Sequence, residues 1–281
     1  MQWIRKKADW QIKIKEQNGV TFLSFPVLEE TGIVRHGFST RLGGVSEGMF
    51  ASMNLSFQRG DDRERVMKNY QRIAAALGTK TEHMVLSQQT HTTNIRVVTA
   101  QDKGKGIHKE MDYRNVDGMV TNEPGIMLVT SFADCVPIYL VDIARKAIGL
   151  CHSGWRGTVG KISHAAIKVM KEQYGTRAED LRAAIGPSIC QDCYEVSEDV
   201  IEEFAKVTEP KQLEQIAVHK GSGKYQLDLW KANQYFLEEA GVLREYIQVP
   251  DLCTCCNSEY LFSHRASQGK RGNLAAFLEL L

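Results

Sequence analysis

Between residues 21 and 152 the chain runs repeatedly into short apolar stretches, TFLSFPVL, MVLSQQT, IMLVTSF, PIYLVD and KAIGLCH, rich in Val, Ile, Leu and Phe and punctuated by Gly, Pro or Asp. Stretches of that length and composition are buried strands, and together they predict a sheet. Three amphipathic segments supply the cover. Asp61 or Asp62 caps a segment in which Val66, Tyr70, Ile73, Ala74 and Leu77 recur at helical spacing until Gly78. Residues 157 to 174 repeat the pattern before Gly175, and residues 229 to 240 do so before Gly241. Strict alternation of strand and helix is missing from the first 150 residues, so a pure doubly wound sheet is not favoured. The expectation is an α/β protein with a mixed sheet covered by helices. With no repeat and no proline-rich linker, residues 1–281 read as a single domain.

Lys and Arg total 35 against 34 for Asp and Glu, a formal charge of +1, so the chain carries no electrostatic footprint for nucleic acid or anionic membrane. No apolar run reaches the ~18 residues a membrane span needs, and the start MQWIRKKADW lacks a signal-peptide core. The cytoplasm is the expected location. Seven cysteines are an odd number in a chain too large to need disulfide staples, which favours thiols or metal ligands.

His91 ends SQQTH, Cys135 sits in SFADCVP, and His152 ends KAIGLCH just before the turn SGWRGT. Each stands at the end of a strand-like segment, where α/β proteins place their sites. Two histidines and a cysteine could form a three-ligand zinc set with its fourth position open, or could be satisfied core residues. Other clusters read as weaker. Cys190 and Cys193 form a CxxC, and with His108 and Glu110 they imitate a zinc deaminase signature, but Pro187 and the histidine are misplaced for it. Cys253, Cys255 and Cys256 in DLCTCC are read, like the CxxC, as packing or incidental thiols. No HExxH, Walker or dinucleotide glycine motif occurs.

The segments RLGGVSEGMFASMNL, QTH, VDGMVTNEPG, FADCVPIYL, HSGWRGTV, IGPSICQDCYEV and LCTCCNSEYLFSHRASQGKRG resemble, in collinear order over roughly residues 30 to 280, the motifs of the YfiH/YlmD family, whose members carry the label of a polyphenol oxidase laccase domain. The bacterial YlmD type is the nearest in pattern. The tail CTCC departs from it by adding Cys255 and Cys256. The resemblance implies a layered sandwich fold and a catalytic Zn2+ held by His91, Cys135 and His152. It also implies phosphorolysis of adenosine, inosine and S-methyl-5'-thioadenosine to free base and ribose 1-phosphate or its methylthio analogue, with deamination of adenosine. Its pattern makes Asn54 and Gln89 polar contacts to ribose or base. A multicopper laccase would need several HxH pairs and none occurs, although Cu2+ is a second ion that a set of two histidines and one cysteine accepts.

For deamination, Asp134 beside Cys135 is the candidate proton shuttle, with a turn-forming or ligand-orienting role as the alternative. Phosphorolysis needs an anion site, and Arg156 in SGWRGT and Arg41 in RLGG are the first candidates, with Arg265, Lys270 and Arg271 as further donors. Three rival readings stand beside this one: a cysteine hydrolase or amidase with Cys135 as nucleophile and a histidine as base, a copper-dependent phenol oxidase, and a scaffold with structural zinc.

Overall fold

A strand whose residues are apolar at consecutive positions has no solvent face, so each of its sheets must be covered twice. The computed structural model, which describes residues 1–281, meets this demand with two six-stranded sheets stacked on each other and helices outside both. In chain order the strands are β1 (Lys13–Gln17), β2 (Val20–Ser24), β3 (Val34–Ser39), β4 (Met84–Leu86), β5 (Ile95–Val97), β6 (Gly118–Thr121), β7 (Met127–Phe132), β8 (Val136–Asp142), β9 (Ala147–Ser153), β10 (Leu181–Ile185), β11 (Glu195–Ser197), β12 (Ala217–Gly221), β13 (Lys224–Leu227), β14 (Ile247–Gln248) and β15 (Leu274–Leu280). The helices are α1 (Pro26–Glu29), α2 (Arg63–Leu77), α3 (Trp155–Val159), α4 (Ile162–Tyr174), α5 (Glu198–Ala205), α6 (Pro210–Ile216) and α7 (Leu229–Glu239).

The first sheet has the order β1-β2-β3-β15-β7-β4 and the second β14-β10-β8-β9-β6-β5. Pairing is antiparallel except for β4 with β7, β5 with β6 and β10 with β14, which makes both sheets mixed. Side-chain alternation then sorts the core into layers. From β15, Leu274, Ala276, Leu278 and Leu280 enter the layer between the sheets, while Ala275 and Phe277 face α2. From β8, Tyr139 and Val141 enter that same layer, while Val136, Ile138 and Leu140 join α4, α5 and α7 on the far side. The Tyr139 hydroxyl spans the layer to donate to the Gly37 carbonyl at 2.9 Å. A small sheet, β11-β13-β12, adds Val196 and Leu227 to the outer core.

The helix expectations meet three outcomes. α2 starts where Asp62 accepts the Arg65 amide and stops at Gly78, whose φ of 72° takes the left-handed conformation glycine favours. α7 follows its pattern, capped by Asp228. The segment 157 to 174 is two helices, because Lys161 at φ 52° breaks the run between α3 and α4. Gly160, just before the break, packs so closely that a methyl group there would stand 2.6 Å from Thr93 Cγ2. No helix is long and apolar enough to cross a membrane.

Candidate metal centre

Two connections pass from the first sheet to the second at one end of the sandwich: 87–94, from β4 to β5, and 133–135, from β7 to β8. The first carries His91 and the second Cys135. β9 brings His152 to the same end, since Pro137 of β8 is registered against His152. The neighbours Leu150 and Ile148 point into the layer between the sheets, and His152, two residues on, follows them and packs on Phe132 with ring centroids 5.4 Å apart. One ligand-type atom from each of His91, Cys135 and His152 lies within 4.8 Å of the others. The two imidazoles meet edge to face at 5.0 Å. His152 is buried, Cys135 half-buried and His91 exposed, so the cluster opens toward solvent through His91. Two non-glycine residues here, His91 at φ 64° and Asp134 at φ 86°, hold left-handed backbone, a conformation that surrounding contacts must impose.

At His91 those contacts come from Asp117, just before β6 and fully buried. Its Oδ1 accepts from His152 Nδ1 at 2.9 Å and from the His91 amide at 3.0 Å. Its Oδ2 accepts from the amides of Thr90 (3.0 Å) and Thr92 (2.8 Å) and from the Thr92 hydroxyl (2.9 Å). One carboxylate thus shapes the loop that presents His91 and fixes the proton of His152 on Nδ1, leaving Nε2 free to bind a metal. Burial pushes the Asp117 carboxyl up, but His152 and the loop amides outweigh it and bring it down to about 2. Burial likewise pushes the Cys135 thiol up, and the flanking histidines, His152 above all, pull it down to about 6. Burial lowers His152, yet Cys135 and Asp117 raise it to about 9. The pair rests as thiolate and imidazolium, and an ion bound there would replace the Nε2 proton, leaving a thiolate and an imidazole held at Nδ1 by Asp117, the donor chemistry a Zn2+ or Cu2+ ion requires. Asp117 escapes the sequence reading although it lies in the motif VDGMVTNEPG. Its only local signal is a carboxylate at a strand start, which spacing cannot connect to His152, 35 residues on.

A cavity of about 940 Å³ rises from the three ligands. Its wall carries Arg59, Arg63, Lys109, Arg114 and Arg271 against a single acid, Glu110. Arg271 Nε is buried there without a hydrogen-bond partner. Burial lowers the Arg271 guanidinium to about 10, with Arg59 adding to the effect. Gln89 lies in the wall, held rigidly by both the amide and the carbonyl of Ser131 at 2.8 Å.

Asn54, Arg41, Asp134, Arg265 and Arg156, also candidates from the sequence, do not line this cavity. Asn54 is completely buried, its carbonyl accepting the Asn273 amide at 2.9 Å and its amide donating to Asp61 at 2.9 Å. Arg41 ties two loops through Ala51 (2.8 Å) and Ser258 (3.0 Å) and lies over the Phe262 ring. Asp134 accepts the Thr254 hydroxyl at 2.6 Å and the Arg265 amide at 2.7 Å. Arg265 donates its guanidinium to the carbonyls of Cys193 and Glu195, and exposed Arg156 stacks on Trp155 at 4.2 Å. Arg265 also lies over the Tyr194 ring, 5.5 Å from its centroid.

The model of a family described as multi-copper polyphenol oxidoreductase laccase matches residues 35–281. The chain belongs to that family. Among the proteins this laccase-labelled chain is similar to is purine nucleoside phosphorylase YlmD of Bacillus subtilis (strain 168), 35% identical over 243 residues, which are 86% of this chain and 87% of the relative. Adenosine deaminase RL5, from an unknown prokaryotic organism, is 37% identical over 231 residues, 81% of this chain and 87% of the relative. The structure of YlmD from Geobacillus stearothermophilus superposes with a TM-score of 0.87 at 34% identity, covering 98% of this chain and 99% of that one. That of the hypothetical protein YfiH from Bacillus licheniformis does so with 0.89 at 31%, covering 95% and 99%. The layered α/β fold expected from the sequence is thus the fold of these relatives.

The family label speaks of several coppers, whereas this laccase-family chain gathers His, Cys or acidic donors at two places only. One is the triad above. The other unites Cys190, Cys193, Cys253 and Cys256, which by spacing alone read as packing or incidental thiols. The two CxxC pairs lie far apart in sequence, and the fold closes that gap beyond the end of β10.

Proposed function

We propose that the chain is a cytoplasmic, zinc-dependent purine nucleoside phosphorylase. In this reading it cleaves adenosine, inosine and S-methyl-5'-thioadenosine with phosphate, releasing the base and ribose 1-phosphate or its methylthio analogue, and it also deaminates adenosine. The observation that carries the reading is the coincidence of a three-donor cluster, open to solvent on one side, with a cavity whose wall is cationic. An open three-ligand set suits a catalytic zinc, and a cluster of guanidinium groups suits a phosphate. Names of relatives that specify a phosphorylase and an adenosine deaminase support both activities.

His91, Cys135 and His152 would hold the zinc, which when bound supplies a Lewis acid at the cavity floor. The remaining work falls to the chain. Arg271 has a buried donor with no acceptor, and an anion beside it would both complete that hydrogen bond and relieve its repulsion from Arg59. Arg156 and Arg265 are the candidates for a second anion contact. Gln89, locked against Ser131, offers a fixed polar edge to ribose or base. Asp134, steadied by Thr254 and Arg265, is the carboxylate nearest the thiolate in sequence and the candidate to move a proton in deamination. Arg41 and Asn54 act here by positioning the loops they tie together.

Incubation with adenosine or inosine, with and without phosphate, tests the reading directly. Phosphate-dependent release of adenine or hypoxanthine with ribose 1-phosphate is expected, together with phosphate-independent formation of inosine from adenosine. Absence of both products from zinc-loaded protein refutes it. Cys135, ionised beside His152, is also what a cysteine hydrolase would use. Chelation that abolishes turnover, with recovery on adding zinc, favours the metalloenzyme, and activity that survives chelation but not alkylation favours the hydrolase.

A further inference from the structure

We propose that Cys190, Cys193, Cys253 and Cys256 form a second metal site, a closed tetrahedral tetrathiolate zinc centre that is structural and separate from the His91–Cys135–His152 cluster. All four sulfurs lie within 4.8 Å of one another. Cys256 Sγ stands 3.9 Å from Cys190 Sγ and 3.5 Å from Cys193 Sγ. Zinc–sulfur bonds of about 2.3 Å in a tetrahedron place ligand sulfurs ~3.8 Å apart, so the observed spacing leaves room for one ion and is too tight for a cluster of several. The sequence supplies the matching arrangement, since Cys190-Gln-Asp-Cys193 and Cys253-Thr-Cys-Cys256 are two CxxC knuckles.

The backbone is arranged for a thiolate. Cys253 Sγ accepts the amide of Cys190 at 3.2 Å and the amide of Cys256 at 3.4 Å, two donors onto an atom that is only a weak acceptor as a thiol. The loops that carry the knuckles are zipped beside the site by a parallel bridge of Ser188 with Cys253 and by the Thr254 amide donating to the Ser188 carbonyl at 3.1 Å. Four thiolates around one divalent ion leave an excess of negative charge. Lys6 donates its ammonium to Asp192, between Cys190 and Cys193, at 2.7 Å, so the carboxylate beside the ligands is itself neutralised.

With four protein ligands the ion has no open position, so its effect is mechanical. Thr254 lies between two ligands and donates to Asp134, and the Cys193 carbonyl accepts from Arg265. The knuckles therefore clasp the segment after β10 to residues 253–256 and steady the turn that presents Cys135.

The test counts metal in the full-length chain purified without chelator. Wild type is expected to hold about two zinc ions and His91→Ala/His152→Ala about one, retained by the four thiolates. Reconstituted with Co2+, that double variant should show the intense sulfur-to-cobalt charge transfer and the visible bands of a tetrahedral tetrathiolate site. Cys255→Ser, a neighbour outside the ligand set, should keep both ions, whereas Cys193→Ser/Cys256→Ser should lose one and unfold at lower temperature. Because the histidine variant leaves every cysteine in place, the outcome does not depend on a cysteine variant folding. A histidine double variant that is folded yet binds neither zinc nor cobalt overturns the proposal, as does finding these cysteines paired as disulfides in the freshly purified protein.

Discussion

Asp117 joins more of the candidate site than any ligand does, since its two oxygens hold His152 and the amides of residues 90 to 92. Asp117→Asn keeps the shape but replaces one acceptor oxygen by a donor, which faces backbone N–H groups that also donate. We expect metal affinity or turnover to fall by about 10–100-fold, the usual effect of losing a group that orients a ligand histidine. Competition with a chelator would measure the first and the phosphorolysis assay the second. His36 makes a separate prediction, remote from the metal. It is buried, accepts the Phe25 amide through Nε2 at 3.0 Å, and burial lowers its pKa from 6.5 to about 4. Between those values the unfolded chain binds the proton and the folded one does not, so stability is full above pH 6.5 and declines as the pH falls toward 4. The loss from this one group is about 3 kcal/mol. His36→Gln, which keeps an acceptor for Phe25, should flatten the fall of Tm over that range relative to wild type. Equal slopes for the two proteins would exclude His36 as its source.

At the level of elements, the junction of β9 and α3 packs directly against two of the ligands. A methyl group on Gly154 would lie 2.9 Å from His91 Cδ2 and 3.2 Å from Cys135 Sγ. The φ of Gly154 is an ordinary −73°, so its requirement for glycine is one of space and not of backbone freedom. Gly154→Ala should therefore displace two of the three ligands while leaving the sheets intact. Zinc content at the triad and turnover should drop sharply, and far-ultraviolet circular dichroism should stay unchanged. Retained zinc with full turnover would show that the loop at His91 can yield. The same junction shows the limit of helical periodicity, which joins α3 to α4 because Val159 and Ile162 keep the spacing across a left-handed Lys161.

Across the whole molecule, the last strand occupies the middle of the first sheet. β15 is paired on both edges, with β3 and with β7, and every residue in it is buried. Leu274, Phe277, Leu278 and Leu280 each contribute roughly 1.5–3 kcal/mol by burial, so their loss removes about 6–12 kcal/mol. That is comparable with the whole stability of a typical domain, about 5–15 kcal/mol. A chain ending at Asn273 should fail to accumulate in folded form, as circular dichroism and solubility would show, and a cooperative melt from that chain would contradict the topology. The charge of the molecule is equally uneven. A formal +1 averages over the whole chain, yet five cations and one acid line the cavity, and only the folded chain brings them together.

Sequence by itself determined the fold class, the helices α2 and α7, and the choice of His91, Cys135 and His152 as donors that the fold brings together. These are properties of local apolar patterning, of caps such as Asp62 and Gly78, and of motifs a few residues long. It did not determine which arginines face the cavity. Arg41 and Arg156 stand in glycine-rich turns that suggest anion binding, but Arg59, Arg114 and Arg271 form the wall because loops from distant parts of the chain converge there. Nor did it decide the fate of the cysteines, since two CxxC pairs become one cluster only when Ser188 and Cys253 are bridged. Periodicity records how a residue relates to its near neighbours along the chain. Which end of which strand meets another is set by sheet order and register, and both the Asp117–His152 pairing and the four-sulfur cluster depend on that order.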